Sequence, residues 1–128
     1  MNSNLTHSYM KILVIDDDKA ALKFIREILK HDGFNVLTAE SGYKAFELLA
    51  QNPDVTTVIS DIIMPEQEGI EIIKNIKSEH PHIKIVAISG GGKMSPESYL
   101  HLAHAVGADA TLKKPFGYRE LLNALRYL

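Results

Sequence analysis

The sequence has no cysteine and no tryptophan, and it has no long apolar run. The lack of cysteine excludes disulfides, thiolate nucleophiles and cysteine-based zinc sites. No apolar stretch approaches the roughly 20 residues that a membrane-spanning helix needs. The first ten residues, MNSNLTHSYM, contain no apolar core of the kind that a secretory signal peptide requires. We therefore expect a cytoplasmic protein that does not contact a membrane.

Neither sign of charge is in large excess, because 16 acidic residues face 14 basic ones and the formal net charge is −2. This balance gives no indication of a basic surface for nucleic acid, so we expect no direct contact with it. Hydrophobic residues make up 45% of the chain, which is ordinary for a globular protein. The length fits one domain. We predict a flexible tail over residues 1–9 and one domain over residues 10–128.

Short aliphatic runs alternate with segments whose apolar residues recur at helical spacing. Five runs predict strands: 11–15, 34–39, 56–60, 83–89 and 110–113. The first of them, KILVI, is continuously aliphatic, as expected of a strand that is buried on both faces. Helices are predicted between them and after the last strand. The first spans Lys19 to His31 with Asp18 as its cap, and another begins at Ser95-Pro96. The third helix is expected from about Gln67 to Glu79.

This alternation predicts an α/β fold, with a five-stranded parallel sheet covered on both faces by five helices. We take the strand order 2-1-3-4-5 from known doubly wound sheets, since these residues alone do not determine it. In that order, ligands bind at the carboxyl ends of strands one and three.

Polar residues stand where four of the predicted strands end. Asp16 and Asp17 follow the first strand, Asp61 follows the third, Ser89 ends the fourth and Lys114 follows the fifth. Three carboxylates meeting at one edge repel one another unless a cation relieves them. Because the candidate ligands are all oxygens, Mg²⁺ is the expected cation.

Each of these residues also has a purely structural interpretation. Acidic residues after a strand often only cap the next helix, which is the role we assign to Asp18. A single Ser89 or Lys114 is uninformative, since both residue types are common in loops. The placement of all of them at one predicted edge favours a functional site.

Four motifs occur in one order and spacing: VIDDD (14–18), ISDIIMPEQEG (59–69), IVAISG (85–90) and TLKKPF (111–116). As a set they resemble the receiver domains of bacterial two-component response regulators, in particular the single-domain chemotaxis receivers. The resemblance covers the chain from about Met10 to Leu128. It implies the flavodoxin-like doubly wound fold.

The resemblance also implies a metal site. Asp17 is expected to bind Mg²⁺ directly and Asp16 mainly through water. Asp61 and the backbone carbonyl of Ile63 are the remaining protein ligands that it implies.

The phosphoryl site follows from the same resemblance. Asp61 is the implied phosphoacceptor, Ser89 is expected to hydrogen-bond a phosphoryl oxygen, and Lys114 is expected to pair with the phosphoryl group. The Lys114–Pro115 peptide is cis in the family. These are the roles of a signalling switch rather than of an enzyme that turns over a separate substrate.

The implied partners are a sensor histidine kinase or a histidine phosphotransfer protein, and a downstream protein target. The target is expected to contact the face formed by residues 95–127, although amphipathic packing gives a similar pattern. One residue departs from the family. Thr111 stands where many receivers have a large aromatic side chain that moves with the Ser/Thr, so the usual aromatic switch does not transfer unaltered.

Other functions remain open at this point. The chain can be a receiver taken from a larger response regulator or hybrid kinase. A Mg²⁺-dependent phosphatase is disfavoured because Ile63 stands where such enzymes carry a second aspartate. A flavin module is disfavoured because the acidic edge would repel the phosphate of the cofactor.

Two other motifs give no functional site. The stretch SGGGKM (89–94) lacks the glycine spacing of a P-loop. His101 and His104 are interpreted as a surface pair rather than as metal ligands.

Overall fold

The computed structural model describes residues 10–63, 69–90 and 95–128. Its five strands form one sheet in which every pairing is parallel and the order is β2-β1-β3-β4-β5, as predicted. The strands are β1 (Lys11–Ile15), β2 (Asn35–Ala39), β3 (Thr57–Asp61), β4 (Lys84–Ser89) and β5 (Ala110–Lys113).

Five helices follow the strands in the described part of the chain, again as predicted. They are α1 (Lys19–His31), α2 (Gly42–Gln51), α3 (Gly69–Glu79), α4 (Pro96–Ala105) and α5 (Tyr118–Arg126). None of these helices is long and apolar enough to cross a membrane. The tail at 1–9 and the expected helix start at Gln67 lie outside the described residues.

Side-chain caps fix the starts of two helices that the sequence predicted. Asp18 accepts a hydrogen bond from the Ala20 amide and begins α1. Ser95 accepts one from the Ser98 amide, with Pro96 as the first residue of α4. Each cap satisfies an amide that the helix itself leaves without an acceptor.

The sheet separates two apolar layers. On one face Leu13 and Ile15 pack with α2, α3 and α4, and on the other Ile12 and Val14 pack with α1 and α5. Because successive side chains of a strand point to opposite faces, burial on both faces requires the uninterrupted aliphatic run seen in β1. The two layers hold the strand ends in fixed positions relative to one another.

The third strand lies one residue later than the aliphatic run indicated. β3 comprises Thr57–Asp61, and Asp61 pairs with Ile88 of β4. The apolar pattern ends at Ser60, but the hydrogen-bonded ladder continues through one more residue. Asp61 is therefore held by the sheet rather than by a loop.

Candidate functional site: an acidic pocket at the carboxyl ends of the strands

The carboxyl ends of the central strands and β5 surround an open cavity of about 270 Å³. Seven residues line it: Asp16, Asp17, Asp18, Asp61, Ile63, Gly90 and Lys114. The parallel sheet thus brings together the residues that the sequence placed at one edge, with one exception. Ser89 is completely buried and lies next to Gly90 in the chain rather than in the cavity lining.

Asp61 is held by contacts to both of its carboxylate oxygens. Oδ2 accepts a hydrogen bond from Nζ of Lys114 at 2.7 Å, and Oδ1 accepts one from the Ile63 amide at 2.8 Å. The residue is only 6% exposed. A buried carboxylate bonded to an ammonium and to a backbone N–H is fixed in orientation.

Asp16 is buried more deeply than Asp61, and only one of its two carboxylate oxygens has a hydrogen-bond partner among the described residues. Its Oδ1 accepts a hydrogen bond from the Asp18 amide at 2.9 Å. Its Oδ2 has no hydrogen-bond partner among the described residues, and its nearest cation is Nζ of Lys114 at 3.7 Å. Burial, together with the charge of Asp61, raises the pKa of Asp16 from 3.8 to about 6.

Lys114 is the cation shared by these two acids. Burial on its own lowers the pKa of Lys114, but the hydrogen bond to Asp61 and the charges of Asp61 and Asp16 outweigh it, so the pKa is raised. The ammonium therefore stays charged at neutral pH. The peptide between Lys114 and Pro115 is cis, as the resemblance implied.

The row of three aspartates that follows β1 divides into three different environments. Asp16 is buried, Asp17 is exposed beside the cavity, and Asp18 is exposed and caps α1. All three line the cavity, but the carboxylates of Asp16 and Asp18 each accept a hydrogen bond from a backbone amide. The prediction that Asp18 acts as the cap is confirmed.

Ser89, the last residue of β4, is hydrogen-bonded to the backbone of Lys114. Its carbonyl accepts a hydrogen bond from the Lys114 amide at 2.8 Å. Its hydroxyl, fully buried, has no partner among the residues that the structure describes. A buried polar atom without a partner is costly and is usually a place where a ligand or water binds. The stretch 91–94, which belongs to the glycine-rich run SGGGKM, lies outside those residues.

The donors of this pocket fit a small hard cation. No cluster of three or more histidine or acidic side chains that could hold a metal is found in the described ranges. A cation that keeps several waters needs fewer protein ligands, and Mg²⁺ is such a cation. Three carboxylates offer oxygen ligands beside the open cavity: the exposed group of Asp17, Oδ2 of Asp16 and the group of Asp61.

Three residues that the sequence analysis discussed, His101, His104 and Thr111, lie on the surface. His101 and His104 are both exposed on α4, and neither belongs to a metal cluster within the described residues. Thr111 is also exposed, and it pairs with Ala87 in the β4–β5 ladder.

Gly90 is the cavity residue that the sequence interpretation missed. It lies against the stem of Lys114, because a Cβ built on Gly90 meets Cβ of Lys114 at 2.4 Å. The glycine-rich stretch SGGGKM carried no signal for contact with a residue 24 positions later.

The family model of the response regulator receiver domain matches residues 12–126. The chain belongs to that family. Receiver domains are the signalling switches of two-component systems, and phosphoaspartate and magnesium are typical of them.

Individual relatives agree with this assignment. The transcriptional regulatory protein CpxR of Klebsiella pneumoniae is 35% identical over 116 residues, which cover 91% of this chain and 47% of the relative. The chain thus spans about half the length of such curated relatives. A receiver domain protein from Clostridium thermocellum superposes with a TM-score of 0.84 at 34% identity, covering 91% of each chain. Chemotaxis protein CheY4 of Vibrio cholerae gives 0.81 at 30% identity, covering 94% of this chain and 100% of that one.

Proposed function

We propose that this receiver domain is a phosphoacceptor switch that takes a phosphoryl group from a phosphohistidine onto Asp61. The donor is a sensor histidine kinase or a histidine phosphotransfer protein, and the setting is the cytoplasm. The observation that carries the proposal is the environment of Asp61. Its carboxylate faces the cavity, is oriented by the Ile63 amide, and shares Lys114 with the buried Asp16.

The transfer requires a correctly oriented nucleophile. A bond forms between phosphorus and a carboxylate oxygen of Asp61 while the bond from phosphorus to the donor's imidazole nitrogen breaks. The electron pair of the broken bond stays on that nitrogen, which gains a proton. Phosphoryl transfer demands mainly positioning and charge neutralisation from the protein. The β3–β4 ladder and the Ile63 amide supply the positioning.

Lys114 supplies the positive charge on the protein side. Its ammonium lies 2.7 Å from Oδ2 of Asp61, which is one of the two carboxylate oxygens that can accept the phosphoryl group. When the phosphoryl group arrives, a short shift moves the ammonium from Asp61 to a phosphoryl oxygen. Because this charged donor is already in the pocket, only a small movement is needed for it to stabilise the transition state.

Mg²⁺ is the proposed cofactor, held by Asp16, Asp17, Asp61 and the backbone carbonyl of Ile63. When bound, it offsets the negative charge of the acids and of the phosphoryl oxygens. Of the three proposed carboxylate ligands only Asp17 is exposed, and Asp16 offers the buried oxygen that lacks a partner among the described residues. Those two features support their place in the ligand set.

The phosphorylated state is proposed to differ at the end of β4. A phosphoryl group adds about −1.5 to −2 charges and strong acceptor oxygens. The hydroxyl of Ser89 is free to bind one of them, and the Lys114 amide is already bonded to the Ser89 carbonyl. Moving both residues toward Asp61 shifts the start of α4.

The proposed output surface is the face formed by residues 95–127, where a downstream protein binds. Leu102, Tyr118 and Tyr127 expose large apolar side chains there. Because Thr111 replaces the family's aromatic residue, we expect output to depend on movement after Ser89 rather than on an inward ring. Neither nucleic acid nor membrane is a proposed direct partner of this domain.

A second proposal concerns the whole protein rather than the site. The curated relatives are about twice as long as this chain, which favours a receiver that belongs to a larger regulator. In that case the same switch controls an attached output domain. Sequencing the source gene past Leu128 distinguishes a receiver with an attached output domain from one that acts on a separate protein.

Hydrogen exchange with and without beryllofluoride, a phosphoryl mimic, tests the switch. We expect exchange in peptides covering 89–106 to change in the wild-type protein when Mg²⁺ is present. Asp61→Asn, which lacks the anchoring carboxylate, is the control and should show no change. Unchanged exchange in the wild-type protein at saturating beryllofluoride would contradict the proposal.

A further inference from the structure

Of the ion pairs among the described residues, only Glu97–Lys113 joins α4 to another element. Nζ of Lys113, the last residue of β5, donates a hydrogen bond to Oε1 of Glu97 in the first turn of α4. This hydrogen bond lowers the pKa of Glu97, so the carboxylate is ionised at neutral pH. Thr111 is short, so Lys113 is the long side chain on that side of β5.

The first turn of α4 has few other described contacts with the rest of the molecule. The side chains of Ser95, Glu97 and Ser98 are all exposed, and the side-chain hydrogen bonds of Ser95 and Ser98 stay within the turn. In the described part of the chain, the first fully buried side chain of α4 is that of Ala103. By contrast, α1 and α3 each bury three leucine or isoleucine side chains. A segment with so few buried contacts moves at low cost in free energy.

Lys113 lies between the two residues that move in the proposed function. It pairs with Ser89 in the β4–β5 ladder and directly precedes Lys114 in the chain. A shift of Ser89 and Lys114 toward a phosphoryl group on Asp61 therefore also moves Lys113 and changes its separation from Glu97. The ion pair belongs to the arrangement in which Lys114 is still bonded to Asp61, so it opposes that shift.

We propose that the Glu97–Lys113 ion pair stabilises the unphosphorylated position of α4 and thereby regulates the phosphoryl-transfer site. Phosphorylation then has to break or lengthen the pair. By thermodynamic linkage, loss of the pair raises the affinity of the site for a phosphoryl group. The regulatory part of this inference rests on the proposed function, whereas the restraint of α4 does not.

Glu97→Gln and Lys113→Gln each remove the ion pair. We expect both variants to bind beryllofluoride, in the presence of Mg²⁺ and at low salt, roughly two- to fivefold more tightly than wild type, because exposed ion pairs contribute little. Titration followed by fluorine NMR measures these affinities. The gain should shrink at high salt, since salt screens the pair already in the wild-type protein.

The two variants change the net charge in opposite directions, which separates a restraint from a long-range field effect. Removing a negative charge near an anion site strengthens anion binding, and removing a positive charge weakens it. A field effect therefore gives opposite signs, whereas loss of the pair gives the same sign. The double variant should match either single variant. Reversing the pair with Glu97→Lys and Lys113→Glu together should return the affinity toward the wild-type value.

Hydrogen exchange measures the restraint on α4 without a phosphoryl mimic. In metal-free protein, peptides that cover 95–106 should exchange faster in both single variants than in wild type. Glu47→Gln is the matched control, because it removes the same charge from the exposed Lys44–Glu47 pair of α2. It should leave both the exchange over 95–106 and the affinity for beryllofluoride unchanged.

Two results would overturn the inference. One is unchanged exchange over 95–106 in both single variants. The other is an affinity for beryllofluoride that does not rise in both of them. Wild-type protein that binds no beryllofluoride with Mg²⁺ would instead contradict the proposed function, and the exchange data would still decide whether the pair restrains α4.

Discussion

At the amino end of the sheet a lysine and an aspartate satisfy each other, whereas at the carboxyl end one lysine is shared by two aspartates. Nζ of Lys77 pairs with Oδ2 of Asp109 at 2.9 Å and donates to the Ile83 carbonyl at 2.8 Å. The same Asp109 oxygen accepts a hydrogen bond from the Ile85 amide at 2.8 Å. This cluster joins α3, β4 and the residue that precedes β5.

The carboxyl end uses similar groups and leaves them incomplete. Asp16 Oδ2 and Ser89 Oγ are buried without hydrogen-bond partners among the described residues. Natural proteins rarely leave such atoms unpaired unless a ligand completes them. The comparison indicates that the amino end contributes stability by itself, whereas the carboxyl end keeps unpaired buried groups at some cost in stability. Under the proposed function these groups bind an ion and phosphoryl oxygens.

The largest expected effect is a gain in stability from Asp16→Asn in metal-free protein. Asparagine can still accept the Asp18 hydrogen bond but carries no buried charge. A pKa raised from 3.8 to about 6 corresponds to about 3 kcal/mol of destabilisation by the charged form, which is the upper limit of the gain at pH 7.5. Urea unfolding in EDTA measures it.

The same substitution has a defined pH dependence. Between pH 3.8 and about 6 the folded state binds more protons at Asp16 than the unfolded state, so its contribution to stability falls as pH rises through this window. The advantage of Asp16→Asn should be complete above pH 6 and small near pH 4. A constant difference across this range would contradict the burial of a charged Asp16.

Asp109→Ala should have the opposite sign at the other end of the sheet. It removes the partner of Lys77 and leaves the Ile85 amide without its acceptor, for an expected loss of about 2 kcal/mol. Asp54→Ala is the control, since Asp54 is an exposed partner of Lys11 and should cost less than about 0.5 kcal/mol. Equal losses of unfolding free energy in the two variants would show that the Lys77–Asp109 cluster is no more stabilising than the exposed Lys11–Asp54 pair.

Magnesium binding should depend on Asp17 more than on Asp16. Asp17→Ala removes the exposed carboxylate expected to bind the ion directly, and we expect its Kd to rise roughly tenfold, or about 1.4 kcal/mol. Asp16→Ala should raise the Kd less. Calorimetric titration of both variants decides, and equal increases would mean that the two acids share the ion differently.

Ile63 should slow the loss of the phosphoryl group, with the smallest effect of the series. Its half-buried side chain lines the cavity beside Asp61 and offers no hydrogen bond to an attacking water. Ile63→Asn can orient such a water, so we expect decay of phosphoaspartate to become a few-fold faster, less than about 1 kcal/mol. Following decay by intact mass tests this; identical decay rates would show that Ile63 only packs.

Much of this comparison was predictable from the sequence. The aliphatic run of β1 predicted a strand buried on both faces, and parallel strands bring their carboxyl ends to one edge. That reasoning placed Asp16, Asp17 and Asp61 together with Lys114, and the structure confirms it. The role of Asp18 as a cap followed from its position before the first helix.

The rest depends on side-chain contacts between distant parts of the chain. Lys77 and Asp109 carry no sequence signal, because their pairing requires the final packing of α3 against the strand starts. The contact between Gly90 and Lys114 likewise depends on how two strand ends approach each other. The extension of β3 to Asp61 was missed because a ladder hydrogen bond leaves no trace in hydropathy.

Intact-protein mass spectrometry after incubation with a small acyl phosphate is the most direct test of the phosphoacceptor role of Asp61. Wild-type protein with Mg²⁺ should gain the mass of one phosphoryl group. Asp61→Asn, and wild-type protein in EDTA, should gain none, because an amide is a poor nucleophile and the acidic pocket repels the donor without a cation. A phosphoryl adduct of equal yield in Asp61→Asn, or one independent of Mg²⁺, would contradict the assignment.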